Sequence, residues 1–526
     1  MKILIVESKT KARTIAKFLK GFYIVATLGH LFDLPKKEFG IYLENGKLKA
    51  KYLPIKGKNK IIQRLKNLIS KAKEIYVASD PDREGEMIAQ EIKMLANKNN
   101  LKRIVFHEIT KNAILNALKN PTKIRQNLVL AQKSRRFLDR IIGYSLSPLL
   151  WKSKIGESAG RVQSAALKLI VLREKEIENF KEKIFYRLIV NFGDFKAIYF
   201  ENKNKFLFED KNYLEKIKND LDDIFLIEKI EKRKNEIKKP TPLDTSLLER
   251  LSFLKFKIPS YLTMKIAQSL YERGLITYPR TDSFYLSTEF LKDVKNFLKD
   301  DYEKPLMKKS KFSQEAHEAI RPTSLKINQN LFKNNLEKLI YLLIYFSNLS
   351  ACSKNALIEK TIVFLKNKNY KFLSQGEKLI FEGFLKYYPF KRKFIALPEI
   401  KEGQILKAKE IKIEKVKTKP PKRYTEESLI KKLKELGIGR PSTYSEIIKT
   451  LIKRNYVFKE KNFLKPTEAG KRVIEFLEKN FSKLMDLNFT AEMEKNLDEI
   501  ALGKLDYEKY IIDFWKDLKN LLRSFN

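Results

Sequence analysis

The chain has 526 residues, 43% of them apolar and 33% charged, and 108 Lys and Arg against 64 Asp and Glu give a formal charge of +44. Such a length builds several cored domains, and so positive a surface favours a polyanionic partner through counterion release, although Lys outnumbers Arg about fourfold, as an AT-rich genome alone would produce. The single cysteine, Cys352, excludes a disulfide framework and a four-cysteine zinc site, and no GxxxxGK[ST] stretch supports a P-loop ATPase.

In chain order, the first 125 residues alternate short β-rich runs (Ile3–Val6, Tyr23–Thr27, Ile75–Ala78, Ile104–Phe106) with helical spacing at Lys9–Leu19 and Glu86–Ala96. That alternation predicts a parallel α/β sheet. Residues 126–183 read as helical, and 184–240 as short strands (Tyr186–Phe192, Phe195–Phe200) followed by a Lys-rich stretch. Residues 241–356 read as mainly helical, 357–415 as strand-rich and 416–526 as helical again. The order points to domains interrupted by insertions. Ile3–Val6 is too short for a signal peptide, and the longest apolar run, Leu339–Phe346, falls short of the roughly 20 residues of a membrane span. A cytoplasmic protein with no membrane contact is expected.

Chemistry enters with the carboxylates. Glu7 ends the first strand, and Asp80-Pro-Asp82-Arg-Glu84-Gly-Glu86 follows another. Ligands of open α/β sheets bind at the carboxyl ends of strands, so these groups converge there. Asp80, Asp82 and Glu84 at i, i+2, i+4 suit a hard cation such as Mg²⁺, with Glu7 beside them. The plainer alternative is an acidic first turn favoured by the helix dipole. A second signal is Gly274-Leu-Ile-Thr-Tyr278-Pro-Arg280-Thr-Asp-Ser283. A Tyr hydroxyl is a competent nucleophile for phosphorus, and an Arg two residues on can hold phosphoryl oxygens.

The strand-end Glu with DxDxE resembles the Toprim domain. Val6-Glu7-Ser8-Lys9-Thr10-Lys11-Ala12, Ala26–Pro35 (which includes His30), Phe106-His107-Glu108-Ile109-Thr110 and the Tyr278 segment resemble motifs of the type IA DNA topoisomerases. So do Asp139–Trp151, Ser158-Ala-Gly-Arg161-Val-Gln163-Ser, Gln314–Pro322, Gly437–Tyr444 and Phe489–Glu494. The Ser-Ala-Gly start is closer to bacterial topoisomerase I than to topoisomerase III.

The resemblance implies a toroidal, four-domain fold. It would comprise a Toprim α/β domain (1–125), a helical DNA-groove domain in two parts (126–183 and 416–526), a β-rich arch in two parts (184–240 and 357–415), and a helical domain carrying the active-site tyrosine (241–356). It implies that Tyr278 attacks one DNA strand to leave a 5′-phosphotyrosine and a free 3′-hydroxyl, without ATP. Arg280 then stabilises the phosphoryl charge, Glu7 and Lys11 move the proton of the leaving oxygen, and His317 binds a phosphate or orients Tyr278. Glu7, Asp80, Asp82 and Glu84 are the expected Mg²⁺ ligands. Arg161, Ser158, Gln163, Arg136, His30, Arg440, Ser442 and Thr443 are the expected DNA-binding residues. A histidine in a strand or loop is more often packed than reactive, which is the reading for His107. The expected partner is the single-stranded segment of negatively supercoiled DNA, met by a nucleoid-associated monomer. A topoisomerase III-like decatenase or an RNA-active relative is the alternative. With one cysteine the chain cannot build the four-cysteine zinc ribbons in which many relatives continue, and its added lysines are expected to compensate in part.

Overall fold

A computed structural model describes residues 1–96, 101–202, 205–307 and 318–523. The N-terminal unit holds a four-stranded parallel sheet in the spatial order Phe22–Ala26, Lys2–Val6, Glu74–Val77, Leu101–Arg103. The central strand is apolar at consecutive positions because both its faces are covered. Ile3 and Ile5 pack with Ile62, Leu65, Ile69 and Ile92, whereas Leu4 and Val6 pack with Ile15, Ile114 and onward to Tyr271 and Tyr278. One face of this sheet therefore shares a core with the helices that carry the tyrosine.

Two differences from the sequence reading bear on function. The fourth strand ends at Arg103, so Ile104–Phe106 runs on beyond the sheet after one last bond from Ile104 N to Val77 O of 2.9 Å. The helix after the acidic loop begins at Arg83, which puts Glu84 and Glu86 in its first turn.

The groove unit is assembled from distant segments. The helices Gln126–Lys152 and Arg161–Glu178 share one core with Glu426–Glu435, Tyr444–Lys453, Glu468–Asn480, Leu487–Ala501 and Tyr507–Arg523. Leu138, Leu167 and Ile170 meet Leu429, Ile474 and Leu497 there, each wholly or almost wholly buried. A fully buried aliphatic side chain contributes about 1.5–3 kcal/mol, so neither segment stands without the other.

The arch is a seven-stranded sheet, again of two chain segments. Its order is Ile405–Lys407, Ile224–Ile237, Ala356–Asn367, Tyr370–Phe381, Lys196–Tyr199, Ile184–Asn191, Glu410–Lys417. Ile224–Ile237 is a 14-residue strand where the sequence showed only a Lys-rich stretch. Between the arch segments lie the helices Thr245–Phe256, Ser260–Glu272, Thr288–Leu298 and Asn335–Ala351, which form the tyrosine unit. Among the described residues no helix is long and apolar enough to cross a membrane.

Candidate active site

Glu7 and Asp80 follow neighbouring parallel strands, which brings them side by side at the carboxyl edge. Glu7 Oε1 accepts a hydrogen bond from Asp80 N at 2.7 Å. The loop from Asp80 then folds so tightly that a Cβ on Gly85 would sit 2.0 Å from Asp80 O, so only glycine fits. Ser79 Oγ donates to Gly85 O at 2.6 Å. Arg103, fully buried, donates to the carbonyls of Ser79 (3.0 Å) and Asp80 (2.9 Å) and pairs through Nε with Glu86 at 3.1 Å. This guanidinium ties down the loop, and the sequence reading missed it; its one trace is an arginine directly before the apolar run Ile104–Phe106.

Ser8 caps the following helix by accepting from Lys11 N at 3.1 Å, which sets Lys11 in the first turn facing the carboxylates. Lys11 Nζ reaches Asp80 Oδ1 at 2.9 Å and lies 5.0 Å from the Phe106 ring centroid and 5.6 Å from that of Tyr271. The other oxygen of Asp80 accepts from Gln268 Nε2 at 3.2 Å, a contact that no sequence signal announces. Burial, reinforced by the charge of Asp80, pushes Glu7 up to about 8 against the opposing pull of Lys11.

The tyrosine arrives on a turn that also requires glycine: Gly274 has φ +77°, and a Cβ there would lie 2.5 Å from Ile109 O. Tyr278 N donates to His107 O at 2.8 Å, so His107 positions the tyrosine through its backbone. The phenol donates to Asp82 Oδ2 at 2.6 Å, and its ring meets Tyr271 edge-on at 5.2 Å. Burial, with Asp82 and Asp80 nearby, holds this hydroxyl well above the usual tyrosine range; Arg280 opposes them. Arg280 Nη1 lies 3.5 Å from Glu84 Oε2. Burial works against its charge, but Tyr278, Glu84, Asp82 and Asp80 together keep it protonated.

Glu7, Asp80, Asp82, Glu84, Lys11, Tyr278 and Arg280 thus meet at one place. The carboxylates do not share one cage, as the i, i+2, i+4 spacing suggested: Asp80 faces Lys11, Asp82 faces Tyr278 and Glu84 faces Arg280. Among the described residues no three acidic, His or Cys side chains are grouped closely enough to enclose a metal. The donor set is nonetheless all oxygen, and the four carboxylates Glu7, Asp80, Asp82 and Glu84 face two cations here, Lys11 and Arg280. Both properties fit a hard divalent cation held by one or two carboxylates, phosphate and water. His317 lies outside the described residues. His30 is paired through Nδ1 with Glu91 Oε1 at 2.8 Å, a carboxylate that also caps Leu31 N at 2.8 Å.

The expected DNA-binding residues divide into two groups. Arg136, Ser158, Gln163 and Thr443 line a groove of about 860 Å³ together with Lys36 and the exposed Trp151. Arg136 is forked onto Asp33 at 2.9 and 2.7 Å, and Tyr456 Oη accepts from Ser158 N at 2.9 Å. Ser442 lines a smaller cleft beside it with Asp82, Arg83, Glu84, Arg280 and Asp282. The Thr443 hydroxyl accepts from Arg440 N at 2.9 Å and so shapes its own loop. Arg161 and Arg440, by contrast, are 5% and 6% exposed and committed to carboxylates. The Arg161 guanidinium is enclosed against Glu494 and does not open onto the groove in this structure. Arg440 is enclosed too, although it borders the smaller cleft.

A parallel α/β unit with strand-end carboxylates, a tyrosine held against them from a separate helical unit and a basic groove alongside define a DNA topoisomerase of type IA. Residues 123–512 match the DNA topoisomerase family model and residues 2–109 the Toprim domain, and the chain belongs to this family. It is 42% identical to DNA topoisomerase 1 of Aquifex aeolicus over 98% of both chains. It is 41% identical to DNA topoisomerase 1 of Campylobacter jejuni over 98% of this chain and 77% of that one. The solved structure of full-length topoisomerase I from Thermotoga maritima matches with a TM-score of 0.89 at 38% identity, covering 99% of this chain and 90% of that one.

Proposed function

We propose that this protein relaxes negatively supercoiled DNA by ATP-independent passage of a strand through a transient break. The observation that carries the reading is the 2.6 Å bond from Tyr278 Oη to Asp82, which joins a nucleophile from one unit to the acidic loop of another. Tyr278 attacks a phosphodiester of the strand in the groove. An O–P bond forms to tyrosine, the P–O3′ bond breaks, and the phenol proton passes to its acceptor Asp82. Lys11 and Glu7, at the strand end beside Asp80, are placed to return a proton to the 3′-oxygen and to take it back at religation. Arg280 balances the charge on the phosphoryl oxygens. One or two of Glu7, Asp80, Asp82 and Glu84, with phosphate and water, would hold Mg²⁺, which when bound supplies positive charge that positions the phosphate for religation.

The groove would take single-stranded DNA, with basic groups on phosphates and Trp151 on a base. Binding a duplex locally opened by negative supercoiling needs no second subunit, and a monomer acting on the nucleoid in the cytoplasm fits this reading. Supercoiled plasmid incubated with Mg²⁺ and no ATP should give a ladder of topoisomers, and Tyr278→Phe should lower the rate by at least about a thousandfold, since the nucleophile is gone. Equal rates in the two proteins would refute the assignment. Faster unlinking of catenated circles than relaxation would favour the decatenase alternative.

A further inference from the structure

Two carboxylates of the helix Leu487–Ala501 take no part in that chemistry, yet they gather arginines from three separate segments. Glu494 and Asp498 lie one turn apart on the same face. Glu494 is fully buried, with Oε1 2.5 Å from Arg161 Nη1 and Oε2 3.9 Å from Arg440 Nη1. Asp498 is shared: Oδ1 accepts from Arg83 Nη2 at 2.5 Å and Oδ2 from Arg440 Nη2 at 2.6 Å. Arg83 stands between Asp82 and Glu84, the residues that meet Tyr278 and Arg280. Arg440 belongs to the Gly437–Thr443 loop beside the groove, and its Nη1 also binds the carbonyls of Gly437 and Gly439 at 3.0 and 2.7 Å. Burial opposes the charge on Glu494, but Arg161, Arg135 and Arg440 hold its carboxyl down to about 2.

We propose that Asp498, seated beside Glu494, is a positioning residue that locks the acidic loop to the DNA groove and so retains the strand end that Tyr278 does not hold. The inference rests on the strand-passage reading. After cleavage one end is covalently attached to the tyrosine unit, while the other, with its free 3′-hydroxyl, is held by contacts alone. Both guanidiniums on Asp498 come from the α/β and groove units, and neither comes from the tyrosine unit. The lock therefore stays closed when the tyrosine unit moves away. Arg83 and Arg440 also border the cleft containing Arg280 and Ser442, so their placement sets where a phosphate can sit beside the acidic loop. Packed together without a carboxylate, the two like charges would repel and splay the cleft.

The test uses the full chain, Mg²⁺ and a single-stranded oligonucleotide labelled at both ends, and reads two quantities: covalent adduct formed, and release of the fragment bearing the free 3′-hydroxyl. Asp498→Asn keeps the shape of the side chain and removes its charge. Adduct formation within about threefold of wild type, with fragment release at least about tenfold faster and relaxation reduced in step, is the expected result. Arg83→Lys, which retains the charge but loses the guanidinium that reaches Asp498, should reproduce the faster release, and serves where the Asn variant is shown by thermal unfolding to be misfolded. Unchanged release in a folded variant overturns the lock. A proportionate fall in adduct and retention together reduces Asp498 to structural support and also overturns it. Absence of adduct in the wild-type protein would instead overturn the Tyr278 reading and this inference with it.

Discussion

Asp282 sits in the small cleft beside Arg280 and is pushed up to about 7 from an ordinary value of 3.8. Burial is the main cause, with Asp244 and Asp498 adding to it; its own backbone N–H and Arg440 oppose. A carboxyl raised on folding favours the folded state while protonated, and that advantage is lost as pH climbs from the unfolded value through the folded one. Asp282→Asn should therefore leave stability nearly unchanged at pH 4 and raise it by about 1–4 kcal/mol at pH 8, read as thermal or denaturant midpoints across that range. A variant equally stabilised at both ends would show that the charge is not the cause. The residues that gather at the acidic loop were legible one by one: Glu7 and Asp80 by type and spacing, Tyr278 and Arg280 by the resemblance of their segment to a family motif. Arg161 and Arg440 were not, because an arginine in a basic protein reads as a DNA ligand until its burial against Glu494 and Asp498 is seen. Gln268 and Arg103 were invisible for a related reason. Each acts on a loop far away in sequence.

Among the elements, the helix Gln126–Lys152 supplies one wall of the groove, with Arg135, Arg136, Tyr144 and Trp151 along it. Trp151 is 59% exposed although it is a large aromatic, as a stacking platform for a base must be. Trp151→Ala should weaken single-strand binding by about 1–3 kcal/mol and leave its salt dependence unchanged. Replacing Lys36 and Lys37 by Ala should do the opposite, lowering the slope of log K against log salt by roughly 0.7 per lysine that contacts a phosphate. Fluorescence titrations at several salt concentrations separate the two. Elements were most legible where one face was apolar. The strand Ile224–Ile237 escaped because its second half alternates Lys, Glu and Arg with few apolar partners, and it is held in the arch by its antiparallel ladder to Ala356–Asn367. The early start of the Arg83 helix was hidden by Pro81 and by the acidic residues, which suit a loop and a first helical turn equally well.

For the molecule as a whole, the seam between the tyrosine and groove units is where the proposed strand passage requires the molecule to open. It is polar: Arg250 pairs with Glu427 at 2.8 Å, Glu426 accepts from Ser260 N at 2.8 Å, and Lys434 pairs with Asp244. Buried beside Glu426 and Asp244, Glu249 is held well above the usual carboxyl range, chiefly by desolvation. Of these contacts the Arg250–Glu427 pair keeps the most solvent access on both sides, which makes it the weakest, whereas Glu426 and Asp244 are buried. Removing the Arg250–Glu427 pair with alanine at both positions should cost no more than about 1 kcal/mol overall. Hydrogen exchange in Thr245–Phe256 and Glu426–Glu435 should nevertheless quicken several-fold, with the Arg161–Glu178 helix unaffected; uniform acceleration would mean that the pair supports the whole fold instead.

The divided groove core has a consequence for the protein's synthesis. Leu138, Leu167 and Ile170 leave the ribosome with only Leu34, Ile41 and Leu48 of their distant core partners already made, and the partners from Tyr424 onward follow some 250 residues later. At roughly 5–20 residues per second that interval lasts on the order of 10–50 seconds. Within it the tyrosine unit and most of the arch emerge and can complete their own cores. A nascent chain therefore completes the tyrosine unit before it completes the groove core, and a ribosome that stalls in this interval leaves that core half built.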